Sequence, residues 1–140
     1  MKSYVLDASI ILSYLFTETA DVKTLITTIL KQADNNQVQL LTTSYFPIEV
    51  ANGLRFKLKD PVMTKKILSK LIALPITYYS LTSSQLLQAT KSSYTTGSTI
   101  YDTAYHILAI AHNAIFITCD QKYYKQSSKL GNIKLYGQSK

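Results

Sequence analysis

The sequence predicts an α/β protein of three layers, α/β/α, with a central and mostly parallel β-sheet. Short apolar runs, which favour buried strands, alternate along the chain with segments whose apolar residues recur at helical spacing. Strands that alternate with helices form parallel sheets with helices on both faces. The length of 140 residues fits one domain with a hydrophobic core. We therefore expect a single domain over residues 1–140.

The strands are predicted from apolar runs that stop at an acid or at a turn signal. The first run ends at Asp7 and the fourth ends just before Asp120. Pro75 separates the third strand from the helix before it. The predicted strands are 3–7, 39–43, 76–80, 115–119 and 132–136.

The helices are predicted from apolar stripes that begin at capping residues. Asp7 or Ser9 can cap the first helix, and Thr82 can cap the fifth. Ser44 opens the third, and Asp60, which precedes a proline, ends it. A polar loop is expected at 93–98. The predicted helices are 8–18, 20–31, 44–59, 62–74, 83–92, 100–112 and 121–128.

The balance of charge favours a polyanionic partner. The chain has 15 lysines and arginines and eight acids, which gives a net charge of +7. Nucleic acid is the first candidate and an anionic membrane surface the second, while the bland alternative is that the charge only aids solubility. Arg55 is the sole arginine. Because lysines act on phosphates as point charges, this composition favours contacts with a nucleic-acid backbone over reading of base edges.

Cysteine content and hydropathy bear on the location of the chain. The single cysteine, Cys119, excludes an internal disulfide and suits a reducing cytosol. It falls in a predicted strand, which favours a buried, inert thiol. The apolar run at 8–16 is far shorter than the roughly 20 residues of a membrane span. We expect a cytoplasmic protein with no membrane association.

Four carboxylates occupy positions that need an explanation. Asp7 and Asp120 follow strands, and Glu49 and Asp102 lie at the starts of helices that follow strands. In a parallel sheet these positions lie at one edge, where ligand sites are found. Four acids at one rim repel each other, and a divalent cation relieves that cost. Oxygen ligands suit Mg²⁺ or Mn²⁺, which can activate water and neutralise a phosphodiester.

Simpler roles exist for each acid taken alone. Asp7 and Asp120 can cap helices, and Glu49 and Asp102 can complement helix dipoles. Other chemistries fit less well, since the sequence lacks a glycine-rich phosphate loop, a nucleophile elbow and zinc-ligand spacing. A structural or surface role is expected for His106. A phosphotransfer domain with one acceptor aspartate is a weaker alternative.

Four short motifs, in this order and spacing, resemble those of the PIN-domain family, and the chain's size and layout resemble its VapC-type toxins. Asp7-Ala-Ser9 resembles the opening D-x-S/T, and the stretch around Glu49 resembles the second motif. The stretch that begins Tyr101-Asp-Thr is similar to the third, and Thr118-Cys-Asp120 to the fourth, T-x-D. The resemblance covers nearly the whole chain and implies a PIN-like fold.

The resemblance implies a metal-dependent ribonuclease of a toxin–antitoxin pair. Carried over by position, Asp7, Glu49, Asp102 and Asp120 would be catalytic and would hold Mg²⁺ or Mn²⁺. The hydroxyls of Ser9 and Thr118 would orient these carboxylates, with local capping of backbone groups as the alternative role.

The family further implies a cognate antitoxin and a homodimer. Aliphatic residues such as Ile10 and Leu58 are candidates for a partner surface, although core packing is the expected role of each taken singly. Arg55, Lys57 and Lys59 belong to a basic segment that could hold RNA phosphates or could simply be a solvated face.

One departure from the family pattern favours a second function. Many relatives carry a further acid shortly after the fourth motif, where this chain has Gln121, Lys122, Tyr123 and Tyr124. A second metal is therefore doubtful. The alternative function is a catalytically silent PIN-like module that binds RNA or acts as a scaffold.

Overall fold

A computed structural model describes residues 1–16 and 19–138 of the chain. In chain order its elements are β1 (Lys2–Leu6), α1 (Ala8–Phe16), α2 (Ala20–Asp34), β2 (Val38–Thr43), α3 (Phe46–Leu58), α4 (Pro61–Ile72), β3 (Ile76–Tyr79), α5 (Ser83–Thr96), α6 (Ile100–Ala111), β4 (Ile115–Thr118), α7 (Gln121–Ser127), a 3₁₀ turn (Ser128–Leu130) and β5 (Ile133–Leu135). The predicted order of strands and helices is confirmed for the described residues. Positions 17 and 18 of the first predicted helix lie outside them.

The sheet has the strand order β3-β2-β1-β4-β5, and each neighbouring pair is parallel. The central strand, β1, is flanked by the two strands that it pairs with, β2 and β4. The chain therefore builds one half of the sheet outward from β1, and later returns to its other side to build the second half. Leu6 of β1 pairs with Ile117 of β4, so both strands end at the same level of one edge. This register places the residues that follow each strand next to each other.

The core lies on both faces of the central strands. Val5, Leu6, Phe116 and Ile117 are almost wholly buried. Such continuous apolar runs are typical of parallel strands that helices cover on both sides. Within the described ranges, no helix is long and apolar enough to cross a membrane.

The loop predicted at 93–98 is wrong in its first part, because α5 continues to Thr96. Polar residues are accommodated in this helix because their hydroxyls bond to its own backbone. The Thr95 hydroxyl donates to the carbonyl of Lys91, and the Thr96 hydroxyl donates to that of Ser92. Gly97 ends the helix with a positive φ of 76°. Serines and threonines favour loops in sequence reasoning because these same hydroxyls compete with helical bonds.

The predicted opening of α3 at Ser44 is also wrong. The helix begins at Phe46, and its N-cap residue is Tyr45, whose side chain makes no capping bond. The Ser44 amide instead donates to the carbonyl of Tyr79 in the neighbouring part of the sheet. Thr82 does cap α5 as predicted, in a reciprocal pair of bonds with Gln85.

Candidate functional site

Asp7 is the most deeply buried of the four acids. It follows β1 directly, and its residue is only 5% exposed. Its Oδ1 accepts hydrogen bonds from the Ser9 hydroxyl at 2.6 Å and from the Ile10 amide at 3.0 Å, which caps α1. Its Oδ2 accepts a hydrogen bond from the Thr118 hydroxyl at 2.8 Å. The side chain is therefore fixed in orientation by three donors.

Burial sets the electrostatic state of Asp7. It raises the pKa of this carboxyl from 3.8 to about 6, outweighing the three hydrogen bonds, which lower it. The charge of Asp102 raises the pKa further. Asp7 is thus a carboxylate whose negative charge the protein compensates only in part.

Two hydroxyls join Asp7 to the loop after β4. The Ser9 and Thr118 hydroxyls lie 3.3 Å apart and both donate to Asp7. Ser9 Oγ also accepts from the Cys119 amide at 3.2 Å, and Thr118 Oγ1 accepts from the Asp120 amide at 3.1 Å. The contacts of Thr118 reach across 111 residues of sequence, so they are not local capping alone. The two residues hold the ends of β1 and β4 in one arrangement.

Asp120 and Asp102 are positioned by the helices that they open. Asp120 is the N-cap of α7, and its Oδ1 accepts from the Tyr123 amide at 3.0 Å. Asp102 lies in the first turn of α6, which Thr99 caps by accepting from the Asp102 amide at 3.3 Å. Burial raises the pKa of Asp102, and the charges of Asp120 and Glu49 raise it further. The capping role that sequence allowed for Asp120 is present, and the carboxylate still faces like charge.

Glu49 lies in the first turn of α3 and is held by a tyrosine. The Tyr105 hydroxyl donates to Glu49 Oε1 at 2.5 Å. Tyr105 is 1% exposed, and its ring packs against Tyr45 at 5.3 Å and stacks on Phe116 at 6.1 Å. Burial and the carboxylate both raise the pKa of Tyr105, so the phenol remains a protonated donor. Sequence reasoning missed Tyr105, because an aromatic residue in the apolar stripe of α6 is ordinarily a core residue.

The structure gathers the four predicted carboxylates at one edge of the sheet. Asp102 is close enough to Asp7, Glu49 and Asp120 for its charge to interact with each of theirs. Within residues 1–16 and 19–138, however, no three His, Cys, Asp or Glu side chains stand together as a ready metal-binding group. The site is therefore a ring of repelling carboxylates and not a closed cage. Its all-oxygen donors and its uncompensated negative charge fit a hard divalent cation.

His106 belongs to the core and not to this ring. It is wholly buried, with Nδ1 at 2.7 Å from the Tyr123 hydroxyl and Nε2 at 2.6 Å from the Gly131 carbonyl. Since a carbonyl only accepts, Nε2 carries the proton and Nδ1 accepts from Tyr123. Burial lowers the pKa of His106, which keeps the ring neutral. The structural role expected from sequence is the one observed.

The three basic residues predicted to bind RNA lie away from the carboxylates. Arg55, Lys57 and Lys59 are exposed at the carboxyl end of α3, whereas Glu49 lies at its amino end. The ten residues from Glu49 to Lys59 correspond to about 15 Å of helix. Lys57 also places its ammonium 5.4 Å from the centre of the Phe16 ring. The structure does not bring this basic segment into the site.

Three solved structures illustrate the likeness in fold. VapBC2 from Rickettsia felis, bound to a DNA fragment from its promoter, is 17% identical with a TM-score of 0.70, covering 96% of this chain and 99% of that one. VapC20 of Mycobacterium tuberculosis, a toxin that cleaves the sarcin–ricin loop, is 11% identical with a TM-score of 0.71 and the same coverage. DNA-bound VapBC from Salmonella typhimurium is 13% identical with a TM-score of 0.67, covering 97% and 98%.

Sequence comparison identifies the family. No curated protein sequence matches the chain. The family model described as the PIN domain matches residues 4–129, which include the four carboxylates and both hydroxyls of the site. The resemblance inferred from the four motifs is thereby confirmed, and the chain belongs to the PIN-domain family.

Proposed function

We propose that the chain is a metal-dependent endoribonuclease, the toxin of a type II toxin–antitoxin pair. The observation that carries the proposal is the ring of Asp7, Glu49, Asp102 and Asp120, in which the charge of Asp102 is repelled by each of the other three, at the edge of a domain of net charge +7. Such a ring costs stability unless a bound cation compensates its charge. A nuclease of one domain, residues 1–140, working in the cytosol on RNA, accounts for both the ring and the charge.

The residues of the ring would hold Mg²⁺ or Mn²⁺. Such an ion supplies an activated water and compensates the charge of a phosphodiester in transit. Asp7 offers a carboxylate already oriented by Ser9 and Thr118, and Asp120 and Asp102 are fixed by their helices. Arg55, Lys57 and Lys59 would hold the RNA backbone farther along, in the manner of sequence-independent phosphate contacts.

The structural neighbours support the assignment as a toxin. VapC20 is a toxin that cleaves the sarcin–ricin loop, and the Rickettsia and Salmonella structures are of VapBC bound to DNA. Their chains and this one correspond almost from end to end. A type II toxin therefore fits the size and the fold of this chain.

A groove between the first helices would receive the antitoxin. A cavity of about 300 Å³ opens between α1, α2 and α4. An apolar helix laid in such a groove is a common mode of recognition. Neither Ile10 nor Leu58 lines this cavity: Ile10 is wholly buried in the core, and Leu58 packs partly against it. The residues that line the cavity are Ile11, Tyr14, Leu15, Ile26, Leu30, Val50, Ile67, Lys70, Leu71 and Leu74.

A second apolar surface would support a homodimer. Leu86 on α5 and Ile100 and Tyr101 on α6 are 51%, 40% and 59% exposed. They line one cavity of about 430 Å³, so they form a continuous patch. Contiguous exposed apolar surface marks interaction sites in soluble proteins. Light scattering of wild type and of Leu86→Glu would test this, the variant being expected to run as a monomer.

The nuclease is tested by RNA cleavage with and without chelator. Wild type should cleave a structured RNA when Mg²⁺ or Mn²⁺ is present and stop when it is removed, and Asp102→Asn should be inactive while remaining folded. Asp34→Asn is the matched control, because Asp34 is an exposed acid that ends α2, just before the amino end of β2. Cleavage that survives both chelation and Asp102→Asn would refute the proposal.

The catalytically silent module is the second candidate. It is favoured by the absence, among the described residues, of a preformed group of three metal-binding side chains. Such a module would bind RNA equally well with and without chelator and would cleave no substrate under any metal condition.

A further inference from the structure

A tyrosine to which the motifs assign no role contacts one of the four carboxylates directly. The Tyr105 hydroxyl lies 2.5 Å from Glu49 Oε1, which is short for a hydrogen bond and typical of a hydroxyl that donates to a charged oxygen. The two residues are 56 apart in sequence, so this bond joins the amino end of α3 to the first turns of α6. Asp102 lies in the same helix, three residues before Tyr105.

The tyrosine ring is buried and packed between two other aromatic rings. It is 1% exposed, stacks on Phe116 of β4 at an interplanar angle of 10°, and meets the edge or face of Tyr45 at 61°. Tyr45 is itself tied to α6, because its hydroxyl donates to the Tyr101 carbonyl at 2.9 Å. The phenol oxygen therefore occupies a fixed point above the sheet edge.

The Glu49 side chain, by contrast, is less constrained, and charge repulsion favours its turning away from the site. It is only half-buried, its charge interacts unfavourably with that of Asp102, and its side chain has three rotatable bonds. Without a donor, repulsion would favour rotamers that turn its carboxylate out into solvent. The bond to Tyr105 keeps one carboxylate oxygen inside and leaves the other free.

We propose that Tyr105 is a positioning residue that holds the Glu49 carboxylate at the metal site. The inference rests on the proposed function, since it assigns Glu49 to the ion. Tyr105 acts on Glu49 as Ser9 and Thr118 act on Asp7, because each hydroxyl donates a hydrogen bond to a carboxylate oxygen. Groups that orient metal ligands in this way typically contribute about 10- to 100-fold to affinity or activity.

The test is a titration of Mn²⁺ into the metal-free protein and its Tyr105→Phe variant. Phenylalanine keeps the ring between Tyr45 and Phe116 and removes only the hydroxyl, so the fold is retained and thermal unfolding checks this. We expect about tenfold weaker Mn²⁺ binding. Tyr78→Phe is the control, because the buried Tyr78 hydroxyl has no hydrogen-bond partner among the described residues. Its Mn²⁺ affinity should equal that of wild type.

A double-mutant cycle with Glu49→Gln separates positioning from packing. If Tyr105 acts through Glu49, then Tyr105→Phe should weaken Mn²⁺ binding in the wild-type background and have no further effect in the Glu49→Gln background. Equal Mn²⁺ affinity of wild type and Tyr105→Phe would overturn the inference, as would the same loss in both backgrounds. A wild type that binds no Mn²⁺ would overturn the proposed function itself, which is a different result.

Discussion

Replacing Asp7 by asparagine should stabilise the metal-free protein. The folded protein holds Asp7 in a buried place that raises its pKa from 3.8 to about 6. A difference of about 2 pKa units corresponds to about 3 kcal/mol. The free energy of unfolding is lower by this amount when Asp7 is ionised. Because an amide has an NH₂ group in place of one carboxylate oxygen, the variant cannot accept the hydrogen bonds of both Ser9 and Thr118, which costs about 1 kcal/mol. The expected net gain at pH 7 is about 2 kcal/mol in the free energy of unfolding.

The pH dependence of stability shows whether the ionised Asp7 destabilises the fold, and this test does not depend on the cost of the lost hydrogen bonds. A carboxyl with a raised folded pKa keeps its proton in the folded state between about pH 4 and pH 6, where the unfolded chain has lost it. Wild-type stability therefore falls through that window and the deficit stays constant above it. The asparagine side chain of the variant does not titrate, so the advantage of Asp7→Asn should be about 2 kcal/mol larger at pH 7 than at pH 4.5.

Urea unfolding in the presence of chelator measures both quantities. The two proteins should unfold with equal dependence on urea, so that the midpoints report stability alone. A stability difference between Asp7→Asn and wild type that is the same at pH 4.5 and pH 7 would contradict a raised pKa of Asp7 in the folded state. With saturating Mn²⁺ the order should reverse, because only wild type gains from binding.

Three further predictions follow from the same contacts. The Mn²⁺ affinity of wild type should rise from pH 5 and level off by about pH 7, because protons compete for Asp7, whose pKa is about 6; calorimetry at pH 5, 6 and 7 measures it, and a flat profile contradicts it. Thr118→Val should weaken Mn²⁺ binding about tenfold, since it removes the donor to Asp7 Oδ2, whereas the exposed control Thr95→Val should not. Burial raises the pKa of the Cys119 thiol to about 11, so iodoacetamide at pH 8 should alkylate it far more slowly in the native than in the urea-unfolded protein, and equal rates would count against this.

Much of the fold follows from sequence because its signals are local and strong. Short apolar runs mark the end of β1 and most of β4, and an acid follows each strand within two residues, so their shared edge is predictable before the sheet order is known. The end of α5 was not predictable, because Thr95 and Thr96 satisfy their hydroxyls within the helix instead of breaking it. The same hydroxyls in another context would form a loop.

The site residues likewise separate into those that the sequence predicts and those that depend on distant contacts. Asp7, Glu49, Asp102 and Asp120 stand out as acids within apolar segments, and Ser9 and Thr118 stand beside them in the motifs. Tyr105 does not stand out, because its role depends on a contact across 56 residues with a side chain of another helix. The distance of the basic segment from the site was not predictable from charge alone, because it depends on the length of the helix along which Arg55 to Lys59 follow Glu49.

The most direct test of a metal-dependent nuclease is the titration of Mn²⁺ into wild type and Asp102→Asn, with RNA cleavage assayed on the same samples. Asp102 is the acid whose charge interacts with each of the other three, so its loss should affect the whole ring. We expect Mn²⁺ binding and RNA cleavage to disappear together in the variant while its fold persists. A folded wild type that takes up no Mn²⁺ would contradict this expectation and would leave four helix-opening acids in a silent binding domain.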